Sequence, residues 1–440
     1  MKVTILTAGS RGDVQPYVAL GVGLQAAGHR VRLASHDSFR DLVQGHGLAF
    51  APVCRPAPAL TASRGWQRWQ RSGDNFASYL YHFFRLARQS RATLALMMDD
   101  FWAACQGAEV VISSTSGLGG PQMATALGAG HYWALFQPMS RTRAFPHFMT
   151  PAGASLGAGF NALTYKLAEQ AYWLLFRPAL NDWLARTLER PAGGRPQHLE
   201  AFLSPGPAPA LAGFSRHVIP PPADWAGRVY VCGFWQLEPP AGWQPPAELA
   251  AFLAAGPPPI YFYLSGIKVS PPERLLEMAL AALRRTGQRG LLFAGARGLD
   301  LGGLPGSVMA VGAVPHDWLF PQVAAVVHHG GAGTTASALW AGRPSVGIPG
   351  FWDQPFWCRR IHALGVGARP IPLRRLSADS LARAIHEVAT DPAMAERAQA
   401  LGRRIRGENG VQNAVGYLER PERASQGQAG RPLGKSSACG

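Results

Sequence analysis

At roughly 100–200 residues per domain, the 440 residues of this chain allow about two to four domains and exclude a peptide, a fibre or a single small module. Apolar residues make up 47% and charged residues 15%, with 51 glycines and 37 prolines, a composition that excludes global disorder and a collagen-like repeat. The formal charge of +16 is almost wholly arginine, since only Lys2, Lys166, Lys268 and Lys435 are lysines; nucleic acid, an anionic membrane and a phosphorylated small molecule all suit that excess.

The opening Met1-Lys2-Val3-Thr4-Ile5-Leu6-Thr7 runs at once into Gly9-Ser10-Arg11-Gly12-Asp13, leaving no room for the apolar core of a signal peptide. No run of about 18 uncharged apolar residues follows, so no membrane span is expected. Cys54, Cys105, Cys232, Cys358 and Cys439 are odd in number, far apart and without a C-x-x-C pair, which suits reduced thiols in a cytoplasmic protein.

Residues 2–8 predict a strand, followed by a glycine-rich turn and a helix that Pro16 opens, Tyr17, Leu20 and Leu24 pattern, and Gly28 closes. A second strand over 30–35 completes a β-loop-α-β unit, which implies a parallel sheet with the loop at its carboxyl edge, where open α/β sheets bind ligands. The theme recurs in a strand over 110–114, the loop Gly117-Leu118-Gly119-Gly120, a helix from Pro121 and a strand over 132–136. One doubly wound domain is therefore expected over 1–215. The proline clusters between Pro220 and Pro259 predict a stiff connector over 216–259. Strands over 260–264, 290–293, 309–311 and 324–328 and a helix over 273–285 predict a second α/β domain, 260–420, with the last helix returning to the first. The tail 421–440 is expected to be disordered.

In the second domain a buried strand runs into Val326-Val327-His328-His329-Gly330-Gly331-Ala332-Gly333-Thr334-Thr335, with a helix expected from Thr334 to Trp340. The amides of Gly333, Thr334 and Thr335 then read as unpaired first-turn donors which, with the helix dipole, form an anion site. Two hydroxyls and His329 add donors, so a diphosphate is the natural guest; a tight turn with two polar caps explains the glycines and hydroxyls too. The lysine of a P-loop and the spacing of a G-x-G-x-x-G loop are both absent. Next comes Pro349-Gly350-Phe351-Trp352-Asp353-Gln354-Pro355-Phe356-Trp357, where Asp353 and Gln354 suit sugar hydroxyls with aromatic walls, or else cap the following helix.

Together, H-H-G-G-A-G-T-T, P-G-F-W-D-Q and the early G-S-R-G-D-V-Q-P resemble the family-1 glycosyltransferases of GT-B fold, closest to the sterol 3-β-glucosyltransferase-like and glycopeptide-antibiotic branch. The resemblance extends through Val314-Pro315-His316-Asp317-Trp318-Leu319-Phe320-Pro321 and Ala363-Leu364-Gly365-Val366-Gly367 to nearly the whole chain except the tail. It implies two Rossmann-like domains facing across a cleft, the second holding a nucleotide sugar and the first an acceptor. His329, Gly331, Gly333, Thr334 and Thr335 would contact the diphosphate, Asp353 and Gln354 the donor sugar, and the backbone near Val314 the base. Asp13 would be the catalytic base, with Ser10, Arg11 and Gly12 lining the donor side. Asp13 also reads, on its own position, as a dipole partner of the helix behind it. One departure stands out: the family often has Gly-Phe-Gly-Ser where this chain has Tyr263-Leu264-Ser265-Gly266-Ile267-Lys268, which brings Ser265 and Gly266 toward the phosphates in exchanged order beside Leu264 and Lys268.

The implied reaction is an inverting transfer of a hexose from UDP-glucose or a related UDP- or TDP-sugar to a hydroxyl of a sterol, terpenoid, polyketide or lipid. No metal or other cofactor is expected, because no D-x-D motif is placed to chelate one. An epimerase of the same fold, acting on the same nucleotide sugar, is the alternative. Nucleic acid is not expected, because the arginines are scattered and no zinc, RRM or helix-turn-helix signature occurs. The aromatics Trp66, Trp69, Phe76, Tyr79, Tyr81, Phe83, Phe84, Tyr172, Trp173 and Phe176, with Arg64, Arg68, Arg71, Arg85, Arg88 and Arg91, read as core, as an acceptor pocket, or as a surface lying peripherally on the inner membrane face.

Overall fold

The computed structural model describes residues 1–54, 76–150, 155–188, 210–240, 242–295 and 301–420. Strands Lys2–Leu6 (β1), Arg30–His36 (β2), Ala49–Val53 (β3), Val110–Ser113 (β4), Gly130–Leu135 (β5), Ala210–Ala212 (β6) and Val229–Val231 (β7) form one parallel sheet in the order β3-β2-β1-β4-β5-β6-β7. Strands Ile260–Tyr263 (β8), Gly290–Phe293 (β9), Val308–Ala310 (β10), Ala325–His328 (β11) and Ser345–Gly347 (β12) form a second, also parallel, in the order β10-β9-β8-β11-β12. Central strands covered on both faces need apolar side chains at nearly every position, which is why β1 and β11 are short aliphatic runs with Val3, Ile5, Leu6, Val326 and Val327 buried.

Helices Arg11–Ala26 (α1), Phe76–Cys105 (α2), Gly120–Leu127 (α3) and Ala158–Thr187 (α4) belong to the first domain. Pro272–Thr286 (α5), Ala332–Trp340 (α6), Gln354–Ala363 (α7), Ala378–Thr390 (α8) and Pro392–Arg406 (α9) belong to the second, and Gly410–Leu418 (α10) closes the chain's described part. In each parallel sheet the order in which strands are added reverses at one point, between β1 and β4 in the first and between β8 and β11 in the second. Ligands of open α/β sheets bind outside the carboxyl ends of the strands at such a point. The loops there are residues 7–10 in the first domain and Leu264–Gly266 and 329–331 in the second.

Three boundaries differ from the sequence expectation. Helix α1 begins at Arg11 rather than Pro16, so Asp13 lies in its first turn. Pro16 is tolerated because its missing N–H would have served only the Gly12 carbonyl, at the cleft edge of the helix. Helix α6 begins at Ala332 rather than Thr334. Within 216–259, Val229–Val231 completes the first sheet by pairing with β6 before the chain crosses to the second domain. The two domains share an apolar cluster in which Phe214 and Trp225 of the first pack with Trp357, Ile361, Leu401 and Ile405 of the second. Helix α10 then lays Ala414, Val415, Tyr417 and Leu418 against the core around Leu20 and Leu24 of α1.

Residues Arg64, Trp66, Arg68, Trp69 and Arg71 and the tail 421–440 lie outside the described residues, as do the side chains of Phe76, Tyr79, Tyr81, Phe83, Phe84, Arg85 and Arg88. Among the described residues, no helix is long and apolar enough to cross a membrane.

Candidate active site

The first-domain side of the cleft is built by the turn after β1. Gly9 has φ +135°, a conformation that only glycine adopts readily, and a Cβ there would lie 2.5 Å from Asp13 Oδ2. The tight turn lets Ser10 donate both its amide N–H and its hydroxyl to that same oxygen, each at 2.7 Å. Among the described residues Oδ1 takes no hydrogen bond. Asp13 is open to solvent from the cleft but closely surrounded by protein otherwise; that loss of hydration raises its pKa above the ordinary carboxylate range, with the two Ser10 bonds opposing.

The second-domain side presents the amino terminus of α6. The Thr335 amide already donates to the Gly331 carbonyl at 3.0 Å, so it is not one of the helix's free donors, while the Thr335 hydroxyl is buried with no hydrogen-bond partner among the described residues. The free donors are instead the amides of Ala332, Gly333 and Thr334, one residue earlier than the sequence reading placed them, because the helix starts earlier. His329 stands beside them with its ring held between two glycines. A Cβ on Gly266 would lie 2.1 Å from His329 Nδ1 and one on Gly331 2.4 Å from Nε2. Burial, assisted by the charge of Lys268, pushes the His329 ring down to about 4, so at neutral pH it is an uncharged hydrogen-bonding group. Its Nδ1 is buried with no hydrogen-bond partner among the described residues. Leu264 is fully buried in the second-domain core, which leaves the Ser265–Gly266 backbone turned toward His329.

These two sides meet. A Cβ on Gly333 would lie 3.0 Å from Gly12 Cα, so the first turns of α1 and α6 abut backbone to backbone. Arg11, whose Nε donates to Gln15 at 2.8 Å, reaches far enough for its charge to help lower the His316 ring, which burial takes down to about 3. His316 stacks on Phe320 at 4.2 Å. Val314 packs its side chain on the cluster around Leu319, Phe320 and Val326, and its backbone groups are unengaged among the described residues.

Asp353 is 6% exposed. Its Oδ2 accepts from Trp357 Nε1 and from Gln137 Nε2, both at 3.1 Å, and Gln137 belongs to the first domain just past β5. Burial lifts the Asp353 pKa to about 7; the Gln137 bond opposes this and the nearby Asp13 charge adds to it. Gln354 Oε1 accepts from the amides of Gly350 and Phe351, at 2.8 and 3.2 Å, so only its NH2 group is left for a ligand. Ser10 is likewise engaged by Asp13. The structure thus gathers Asp13, Arg11, Gly12, Gly266, His329, Gly331, Gly333, Thr334 and Asp353 along one cleft, with the Thr335 amide engaged inside the helix. Gln137, Trp357 and the Ala332 amide are the members the sequence reading missed. A lone polar residue directly after an apolar strand was the available signal for Gln137, and the i,i+4 spacing from Asp353 the signal for Trp357.

Comparison with known proteins bears on this cleft. The model described as glycosyltransferase family 28 N-terminal domain matches residues 3–125, and the one described as erythromycin biosynthesis protein CIII-like, C-terminal domain matches residues 291–417. Sterol 3-beta-glucosyltransferase of Neurospora crassa is 35% identical over 438 residues, covering 96% of this chain and 27% of that protein. The protein of the same name from Glomerella lagenarium is 33% identical over 450 residues, covering 99% and 29%. The chain therefore spans less than a third of the length of these relatives. Among solved structures, the glycosyltransferase of kitacinnamycin superposes with a TM-score of 0.69 at 21% identity, covering 96% of this chain and 98% of that one. Glycosyltransferase VinC in complex with DTDP superposes with a TM-score of 0.63 at 21% identity, covering 97% and 99%.

Proposed function

This chain belongs to the glycosyltransferases of GT-B fold, and from that premise we propose that it transfers a hexose from UDP-glucose or a related UDP- or TDP-sugar to a hydroxyl of an apolar acceptor, with inversion and with Asp13 as base. The observation that carries the reading is the abutment of Gly12 and Gly333, which sets a carboxylate in the first turn of one helix against the free amides of another. In the proposed step the acceptor oxygen forms its bond to the anomeric carbon while its proton passes to Asp13 Oδ1. The bond from that carbon to the diphosphate oxygen breaks on the opposite face, and the electron pair leaves with the diphosphate. A carboxylate suffices as base because the hydroxyl becomes strongly acidic as the new bond forms. The departing charge is met by the Ala332, Gly333 and Thr334 amides, the helix dipole and an N–H of neutral His329. Asp353, with Gln354 NH2, suits the hydroxyls of the sugar.

The sterol 3-beta-glucosyltransferase relatives support a sterol as the acceptor. The outer face of α4 supports delivery from a membrane surface: Leu163, Leu167 and Leu174 recur on one side of the helix at 48%, 61% and 60% exposure, with the exposed Lys166 and Arg177 among them. Changing the three leucines to serine should abolish sedimentation with phosphatidylserine-containing vesicles without altering UDP affinity; unchanged sedimentation would remove the membrane contact.

The function itself is tested by incubating the protein with UDP-glucose and cholesterol and determining the anomeric configuration of the product. An inverted glycoside is expected. A retained configuration would overturn the displacement, and an epimerised nucleotide sugar formed without any acceptor would establish the epimerase instead.

A further inference from the structure

Trp352 is out of place by backbone criteria. Its φ is +63°, and Asn409 is the sole other non-glycine residue with positive φ among the described residues. Asparagine visits that region readily, whereas for a bulky side chain it is a strained outlier, and such strain persists only where other interactions hold it. A glycine would sit there without strain, so something about the indole keeps it.

Its surroundings show what. The indole crosses from the second domain into an aromatic wall of the first, 5.6 Å from the Phe148 ring at 71° and 5.8 Å from the Tyr172 ring at 74°. Tyr172 stacks in turn on Phe176 of the same helix, α4, and Phe148 lies against His147. Phe148 is 2% exposed, whereas Trp352 keeps part of its surface open. The residue after it is Asp353, whose side chain is pinned by Gln137 and Trp357 and lies near enough to feel the Asp13 charge, so the indole is attached to a fixed point beside the candidate site.

We infer that Trp352 positions the acceptor: its part-exposed indole, braced from behind by the buried Phe148 and Tyr172 rings, forms the apolar wall along which the hydrophobic body of a hydroxyl-bearing acceptor lies while its hydroxyl reaches Asp13. This inference rests on the transfer reaction proposed above. It explains why strain is kept at the junction between the sugar-binding and acceptor-binding sides, where a wall must project from one domain into the other. The indole acts on the ground-state complex and the transition state alike, because the apolar body of the acceptor does not change during transfer; its loss therefore raises KM rather than lowering kcat.

The test compares Trp352→Gly and Trp352→Phe with the wild type, using UDP-glucose and cholesterol for turnover and UDP alone for calorimetry. Glycine suits the backbone, so Trp352→Gly should fold and bind UDP within about twofold of wild type while its KM for cholesterol rises at least about tenfold and kcat stays within about threefold. Trp352→Phe, which keeps an aromatic wall, should recover most of the KM. A cholesterol KM unchanged in Trp352→Gly would overturn the inference and leave the transfer reaction standing. A parallel loss of UDP affinity would overturn it as well, by making Trp352 a mere domain contact. Absence of transfer to cholesterol and to 4-methylumbelliferone by the wild type would overturn the reaction and this role with it.

Discussion

Replacing Asp13 by asparagine should lower kcat for glycosyl transfer by about a thousandfold while leaving UDP affinity within about twofold, as measured by initial rates and calorimetry. Asparagine is nearly the same shape, and its Oδ1 can accept the two Ser10 bonds that Asp13 Oδ2 now receives, so the turn after β1 stays as it is. What disappears is the basic oxygen that Ser10 leaves free. The variant should also be no less stable than the wild type. Because the folded carboxyl has a raised pKa, its contribution to stability is greatest below the unfolded pKa and declines as pH rises through the folded one, so at neutral pH the ionised group costs stability that a neutral amide does not. The same shift fixes the sign of the pH dependence in the wild type. Asp13 must lose its proton to act, so kcat/KM rises with pH along an acid limb lying above the ordinary carboxylate range. Full turnover by Asp13→Asn would remove Asp13 as base, and a fall in its melting temperature at neutral pH would contradict the desolvation argument.

Much of this cleft was legible in the sequence because its parts are local. A β-branched run, a glycine turn and a helical pattern specify a β-loop-α unit, and the chain repeats that unit often enough to dictate two parallel sheets. Gly9, Asp13, His329 and the glycines after it could be placed at strand ends for the same reason. Helix starts were less legible. Pro16 marks a favourable first-turn residue by local chemistry, but α1 winds back to Arg11, where the Asp13 carboxylate takes the Ser10 amide and steadies the first turn. That shift of a few residues decides which groups are free, as Thr335 shows: its amide serves Gly331 because α6 opens at Ala332. Contacts distant in sequence were not legible at all. Nothing around Gln137 announces that its amide meets Asp353, and nothing around Trp352 announces Phe148 and Tyr172, because those pairings exist only once the two domains close on their shared apolar cluster.

Replacing His329 by alanine should weaken UDP binding by about tenfold to a hundredfold in calorimetry, the effect of deleting one hydrogen bond to a charged group. The ring is neutral at pH 7, so the loss is that of a directed donor, and it should depend less on salt than the loss of a lysine would. Gly266→Ala offers an independent route to the same defect. Its Cβ would enter the His329 ring, 2.1 Å from Nδ1, so the ring has to leave its present position. The alanine must therefore turn the imidazole away from the α6 amides and cost nearly as much affinity as removing it. If the cradle exists to aim His329, the two substitutions are not additive, since Gly266→Ala has nothing left to displace once the ring is gone. The double variant should then bind UDP about as well as His329→Ala alone. Additive losses would mean that Gly266 meets the diphosphate through its own backbone, and an unchanged affinity in His329→Ala would leave the diphosphate to the three helix amides.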